Sequence, residues 1–385
     1  NWQYLPPGHI QFLSHHFLMA FRHQRFIYMT NNQPVVQAYN EWDPLEEVIV
    51  GTLDFATIPE WHLQLQSTMP DKWTNLYKQN GGQLFPSDQI KAGERDLEGL
   101  VRILEAEGVK VRRPDPVKFN QPFKTLNWDV RGGLYAAMPR DYLIVIGNEI
   151  IESPMSWRSR YYEGDAYKSL LKEYFHAGAK WTQAPKPQLL DDLYNADYHE
   201  PVEGGEPVYS VTEFEPVFDA ADFMRCGRDI FAQLSNVTNK FGIDWLQRHL
   251  GDEYKIHTLD VNDTHPMHID ATFCPIAPGK LYINKNRFPN IPEMFKDWEI
   301  LEAPEPNIPE SHPLYMTSRW LNVNILMLDE KRVVVEAGEV DTIEAFKRWG
   351  FQPIPVNFRN FNTFGGSFHC ATTDVRRRGE LKSYF

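Results

Sequence analysis

Five stretches of the chain repeat one order of elements, a strand, a helix and a second strand, and this repetition narrows the fold more than any other feature. The clearest copy is LEGLVRILEAEGVKVRRP. Leu97, Leu100, Val101 and Leu104 fall at i, i+3, i+4 and i+7, so they share one helix face. Gly108 follows where a left-handed cap ends a helix, and Val109 and Val111 then alternate as in a strand. SLLKEYFHAGAKWTQAP repeats the pattern with Gly178, DWLQRHLGDEYKIHTL with Gly251 and AFKRWGFQPIPV with Gly350. MFKDWEILEAP is a degenerate copy without the glycine. An apolar strand precedes each copy, and the last, NILMLDEKRVVVEA, is long enough for a hairpin. Five α/β units around one core close most simply into a ring, a five-bladed α/β propeller; a conventional open α/β sheet is the alternative. No GxGxxG or P-loop pattern marks a nucleotide-binding sheet.

The segments between the units carry the chemistry. In order they hold Asp141 in AAMPRDY, Asp219 and Asp222 in EPVFDAADF, and His265, His268 and Asp270 in HPMHIDATF. Thr317, Ser318 and Arg319 in YMTSRW come next, and Cys370 in FGGSFHCATTDVRRRG comes last. Loops at equivalent ends of a closed ring meet in one place. That place would hold carboxylates, a histidine and a thiol, a set suited to covalent catalysis. The thiolate is the nucleophile, a histidine shuttles protons near neutral pH, and a carboxylate behind it fixes its tautomer. Several aspartates around a thiol oppose an oxyanion and raise the thiol pKa, so the set does not suit protease-like chemistry. It suits a planar cation that takes bidentate carboxylate contacts, which is a guanidinium. The glycines of GGSFHC let backbone approach such a substrate closely.

Each piece also has a plainer reading. Cys226 and Cys274 read as buried small apolar residues. His369 competes with His268 as the base, but neighbours on a strand point apart. His265, His268 and Asp270 are a conceivable zinc set without a fourth ligand. Asp219 and Asp222 are also residues that start helices, and RRRG reads as a solvated face. Three cysteines without CxxC spacing argue against a disulfide framework and fit a reducing compartment, the cytoplasm, with mitochondria as the other possibility. A net charge of −13 repels phosphate backbones, which argues against nucleic acid as a partner, and attracts a small cation. No apolar run reaches the length of a membrane span. Residues 1–28 contain no Asp, Glu or Lys but four histidines and two arginines. They read as an N-terminal extension or appended segment, with a transit peptide as the other reading, and residues 29–385 as one catalytic domain.

NEWDPLEEVIVG, MPRD, EPVFDAADF, PMHIDATF, LMLDEKRVVVEA and GGSFHCATTDVRRRG resemble the L-arginine amidinotransferases, from about Asn40 to the C-terminus. The resemblance implies the five-bladed pentein fold and a homodimer. It implies Cys370 as nucleophile, His268 as general acid and base, and Asp219 as the acid that orients it. Asp141 and Asp270 match the carboxylates that hold the guanidinium, and Arg287 the residue that binds the substrate α-carboxylate. Thr317 and Ser318 match a hydroxyl pair lining the site, and Met267 is retained. The implied reaction is ping-pong transfer of the amidino group of L-arginine to a primary amine, without metal or organic cofactor. Glycine-using members carry NPMHID where this chain has His265, so a larger amine, as in guanidinium toxin pathways, is weighed beside glycine. An arginine deiminase-like hydrolase and a non-enzymatic arginine-binding protein are the rival readings.

Overall fold

The computed structural model describes residues 34–69, 71–201, 207–317 and 319–385. Residues 1–28, read as an extension, and Ser318 lie outside them.

The chain builds five three-stranded sheets on one pattern. Strand β1 (Leu45–Val50) pairs in parallel with β2 (Lys110–Arg112). Between them lie the short helices α1 (Leu63–Thr68) and α2 (Thr74–Asn80) and the long amphipathic α3 (Ser87–Ala106). A small hairpin, β3 (Phe123–Lys124) and β4 (Asp129–Val130), and a helical turn, α4 (Pro139–Tyr142), lead to the second unit. There β5 (Leu143–Ile146) and β6 (Glu149–Glu152) form an antiparallel pair, and after α5 (Lys168–His176) strand β7 (Lys180–Gln183) adds in parallel to β6. The third unit repeats this with β8 (Phe223–Cys226), β9 (Asp229–Gln233), α6 (Lys240–Leu250) and β10 (Lys255–Leu259). The fourth has β11 (Phe273–Ala277), β12 (Lys280–Ile283) and β13 (Glu299–Glu302). The fifth has β14 (Leu326–Met327), β15 (Arg332–Glu336), α7 (Val340–Arg348) and β16 (Gln352–Val356). A last turn, α8 (Arg359–Asn362), precedes β17 (Thr372–Arg377), which pairs antiparallel with β1. The end of the chain thus completes the first unit.

Five copies are therefore present; the second to fifth are each a hairpin plus a crossover strand, where the sequence suggests a hairpin only in the last, and in the first β17 takes the place of a hairpin partner. In the degenerate fourth copy a 3₁₀ turn, Glu293–Phe295, replaces the α-helix. The helix faces agree with the sequence periodicity: Leu97, Leu100 and Leu104 are fully buried. Burying such a side chain contributes about 1.5–3 kcal/mol. Gly108 and Gly178 follow their helices at φ +84° and +104°, where a Cβ would meet open space, so the requirement there is conformational.

One buried charge cluster departs from the sequence reading. RRRG is not a solvated face at Arg377, which is 1% exposed and donates to Asp374 at 2.8 Å. The same carboxylate takes Arg140 at 2.8 Å and Arg225 at 2.5 Å. Arg225 also grips both oxygens of Glu41 at 2.7 Å. The arginines stay buried because their remaining N–H groups reach carbonyls: Thr372 for Arg140, Val145 for Arg225 and Met327 for Arg377. The cluster so joins β5, β8, β14 and β17. Burial opposes the charge on Asp374, but Arg140, Arg377 and Arg225 overcome it and hold its carboxyl well below the usual range.

Removing one partner of such a cluster leaves charges buried without compensation. Asp374→Asn is expected to destabilise the fold by about 3–5 kcal/mol, read as a lower urea midpoint with the slope unchanged. A loss below about 1 kcal/mol would mean the cluster is solvated. Because the folded-state pKa is depressed, the Asp374 contribution is present above the ordinary carboxylate range and is lost as pH falls through its folded value.

Candidate active site

A cavity of about 300 Å³ brings most of the expected residues together. Cys370, His268 and Asp270 line it with Met267, Thr317 and Arg287, and His265 stands at its rim. Asp141 and Asp219 are not among the wall residues; both pair with His268, and Asp141 also comes within 4.8 Å of the Cys370 sulfur. Arg319 is not in the wall, and its Nη2 donates to the Ile308 carbonyl at 2.7 Å. Asp222 is enclosed by Gln233, Ser235 and Thr238 and serves that loop instead.

Cys370 sits in the turn before β17, held by Ala371 N–H donating to Ser367 O at 2.9 Å. A Cβ on Gly366 would lie 2.7 Å from Cys370 Cβ, so only glycine leaves the nucleophile its place. His268 has φ +62°, a conformation costing a non-glycine residue about 1–3 kcal/mol. That backbone opens the 3₁₀ turn Ile269–Ala271, which presents Asp270 beside the thiol. Asp270 Oδ2 lies 3.4 Å from Cys370 Sγ and 2.7 Å from His369 Nδ1. His369 and Cys370 therefore converge on one carboxylate. The strand alternation expected to part them does not apply, because they occupy a turn.

His268 Nε2 lies 3.0 Å from Asp219 Oδ2, and its Nδ1 lies 3.5 Å from Asp141 Oδ1. Burial works against the imidazolium, but Asp141, the hydrogen bonds to Asp219 and Cys370 and the Asp219 charge overcome it and hold the pKa well above the ordinary value. Burial, then Asp270, pushes the Cys370 thiol up to about 12, against the pull of His268. In the free site Cys370 is thus a thiol and His268 an imidazolium. Three carboxylate atoms here, Oδ1 of Asp141, Asp219 and Asp270, are buried without a hydrogen-bond partner among the described residues. Such atoms are costly unless a donor reaches them. The site is short of N–H donors and of positive charge. Ligand atoms of Asp141, His268 and Cys370 lie within 4.8 Å of one another, a spacing that suits a metal. The zinc set weighed from the sequence is not the one that forms. An imidazolium has no lone pair to give a metal, so the protonated His268 suits acid–base work.

No family model matches the chain. It is 56% identical over 349 residues to L-arginine:L-lysine amidinotransferase of Pseudomonas savastanoi pv. phaseolicola, covering 91% of this chain and 96% of that protein. It is 49% identical over 360 residues to the mitochondrial glycine amidinotransferase of Xenopus laevis, covering 91% and 85%. A solved amidinotransferase of the saxitoxin biosynthetic pathway of Microseira wollei superposes with a TM-score of 0.88 at 51% identity, covering 91% of this chain and all of that one. The chain belongs to the L-arginine amidinotransferase family.

This amidinotransferase is an enzyme that transfers amidino groups, and its site contains supports that its sequence did not reveal. Arg160 donates to Asp141 Oδ2 at 2.9 Å and grips Glu163 with two bonds of 2.7 Å, so Asp141 keeps a single oxygen free. Asn324 accepts the backbone N–H of Ser367 and of Cys370 at 3.1 Å through Oδ1. Two N–H donors settle which end of the amide is oxygen, so Nδ2 faces Cys370 Sγ, at 3.1 Å. Its one sequence signal was an amide within the apolar stretch NILML, and that stretch reads first as a strand. Arg287 keeps its place in the wall while pairing with Asp263 at 3.1 Å.

Asn324→Ala removes the one amide donor to the sulfur. Iodoacetamide is expected to alkylate Cys370 more slowly in this variant at every pH, by about tenfold, a hydrogen bond of roughly 1.4 kcal/mol to a charged atom. In the parent enzyme the rate should still be climbing at about pH 10, because only the thiolate reacts. Equal rates in the two proteins would make Asn324 a scaffold residue only.

Proposed function

We propose that the enzyme moves the amidino group of L-arginine to a primary amine in two half-reactions through Cys370. The observation that carries this reading is a buried thiol, Cys370 Sγ, 3.4 Å from the Asp270 carboxylate, with ligand atoms of Asp141 and His268 within 4.8 Å of it. A guanidinium supplies the missing donors and the missing charge together. With the cation seated between Asp141 and Asp270, the thiol loses its proton to solvent and the thiolate attacks the amidino carbon. The imidazolium of His268 protonates the departing nitrogen, the C–N bond breaks and ornithine leaves. The neutral His268 then takes a proton from the acceptor amine as its nitrogen attacks the amidino-cysteine. The C–S bond breaks and the guanidino product leaves. Asp219 holds His268 in place, Arg287 takes the α-carboxylate, and Thr317 flanks the passage.

The acceptor is glycine or a larger amine. The relatives named above act, by their names, with lysine and with glycine or in saxitoxin synthesis. His265 favours the larger amine: its ring stands 37% exposed at the rim, 3.8 Å from Glu200. We also infer that the five units close into a ring in a homodimer working in the cytoplasm. Support for the ring is the return of β17 to β1 and the charge cluster that joins four of the units.

The test is incubation with L-arginine and a panel of amines including glycine, followed by mass spectrometry. Ornithine should form only when an acceptor is present, and Cys370→Ser should stop turnover without unfolding. Citrulline from arginine alone would identify a hydrolase instead, and a fully active Cys370→Ser would remove the covalent step. His265→Asn should move the acceptor profile toward glycine; an unchanged profile removes that residue from acceptor choice.

A further inference from the structure

The proposed transfer gives Arg287 the α-carboxylate of the donor and leaves the α-ammonium beside it without a partner. A confined ammonium is costly unless an acceptor meets it. Carboxylate and ammonium are attached to one carbon, so their two partners on the protein must be neighbours. Besides Asp270, the cavity wall holds three carboxylates, Asp71, Glu200 and Asp263. Among the described residues only Asp263 pairs with Arg287, its Oδ2 lying 3.1 Å from Nη2. Asp71 is exposed at the start of the turn Asp71–Trp73, and Glu200 lies 3.8 Å from His265.

The pair is braced yet keeps surface in the cavity. The Arg287 side chain is 16% and the Asp263 side chain 10% exposed. Apart from this contact the Arg287 guanidinium makes no ion pair or hydrogen bond among the described residues, so N–H groups remain for a carboxylate. Asp263 Oδ1 accepts the His265 backbone N–H at 3.0 Å, and Asn262 N–H donates to Arg287 O at 2.7 Å. These bonds tie the segment before His268 to the turn that carries Arg287, and they hold the cation and the anion side by side. A lone carboxylate is repelled there by Asp263, and a lone amine by Arg287. The head of an α-amino acid satisfies both.

We propose that Asp263 binds the α-ammonium of the arginine donor while Arg287 binds its α-carboxylate, which makes Asp263 a specificity-determining residue of the donor half-reaction. The assignment rests on the reading of L-arginine as donor and of Arg287 as its carboxylate partner. It gives the ion pair in the wall a use beyond bracing. By neutralising Arg287 in part, Asp263 weakens the hold on any anion that brings no ammonium with it. Guanidinium compounds lacking one half of the amino-acid head are thereby rejected, although the floor of the cavity accepts their guanidinium equally well.

Titration calorimetry on the full chain carrying Cys370→Ser, in which turnover is expected to stop, tests this. The ligands are L-arginine, δ-guanidinovalerate, which lacks the ammonium, and agmatine, which lacks the carboxylate. L-arginine should bind about tenfold more tightly than either, the worth of a hydrogen bond to a charged group. Asp263→Asn, added to this chain, keeps an oxygen for the His265 N–H and removes the charge. It should weaken L-arginine by about tenfold and tighten δ-guanidinovalerate, because Arg287 is freed. Damage to the wall would weaken both. Glu200→Gln should leave the ratio of the two affinities unchanged. Equal affinities for L-arginine and δ-guanidinovalerate, or a shift of both in one direction in Asp263→Asn, overturn the proposal while a weak agmatine keeps the donor reading intact. A ratio that collapses in Glu200→Gln and not in Asp263→Asn overturns it as well. Agmatine binding as tightly as L-arginine removes the role of Arg287 and this proposal with it, and failure of all three to bind removes the arginine reading itself.

Discussion

Asp374 lies among three guanidinium groups, and the order of the whole site follows from keeping that carboxylate charged. Arg140, Arg225 and Arg377 come from three separate segments, and each needs the same anion to remain buried. Three cations on one anion leave an excess of positive charge, which Glu41 meets through both of its oxygens on Arg225. Glu41 Oε2 also lies 3.3 Å from His369 Nε2, and His369 Nδ1 lies 2.7 Å from Asp270. Asp270 then stands 3.4 Å from the sulfur of Cys370. A structural charge cluster is thereby continuous with the reacting atom. The position of Asp270 is set from behind, by a chain of polar groups in a low-dielectric interior where each bond strengthens its neighbours.

The electrostatics of the free site make sense only as preparation for a cation. Asp141, Asp219 and Asp270 gather around one imidazolium and one arginine, and the thiol beside them is pushed up to about 12, by burial first and by Asp270 next. A nucleophile so suppressed is inert toward incidental electrophiles. In the proposed transfer the donor that activates it is also the substrate it attacks. Asp270 itself is held below the ordinary carboxylate range: burial would raise it, but His369 and His268 prevail, so it is an anion when the guanidinium arrives.

The parts of this arrangement legible in the sequence were those with a local signature. Helix faces such as Leu97, Leu100 and Leu104 declare themselves by period, and Gly108 and Gly178 by their place after a helix. That Cys370, His268 and Asp219 come together was legible because they stood in segments at equivalent points of a repeat. The supports were not legible, for a physical reason. Arg160, Glu163, Glu41 and Arg377 are charged, and a charged residue reads as surface unless its partner is known. Some of those partners are distant in sequence: Arg225 meets Glu41 from 184 residues away, and Arg160 meets Asp219 from 59. Asn324 failed for a related reason, since a polar residue among apolar ones in a strand-like run gives no sign of the turn it will hold. The hairpins of the second, third and fourth units were not legible, because hydrogen-bonded pairing leaves no period beyond that of the strand.

In the proposed transfer, acceptor choice is decided at the mouth of the cavity. The floor, made of Cys370, Asp270, His268 and Asn324, meets an amidino group and an attacking nitrogen whatever the acceptor is, so it cannot distinguish one amine from another. Overall identity does not distinguish them either: relatives named for lysine and for glycine match this chain at 56% and 49%, each over nearly the same span. What remains is the outer wall, where Asp71, Glu200 and Asp263 face a single arginine, Arg287, already paired with Asp263. A carboxylate at the mouth stabilises a second positive charge on the acceptor, far from the sulfur, without stabilising the ammonium form of the nitrogen that must attack. Glycine has no such second charge to place there. An amine with a cationic far end does, and its reacting nitrogen can reach Cys370 uncharged while the other end stays solvated between Glu200 and His265.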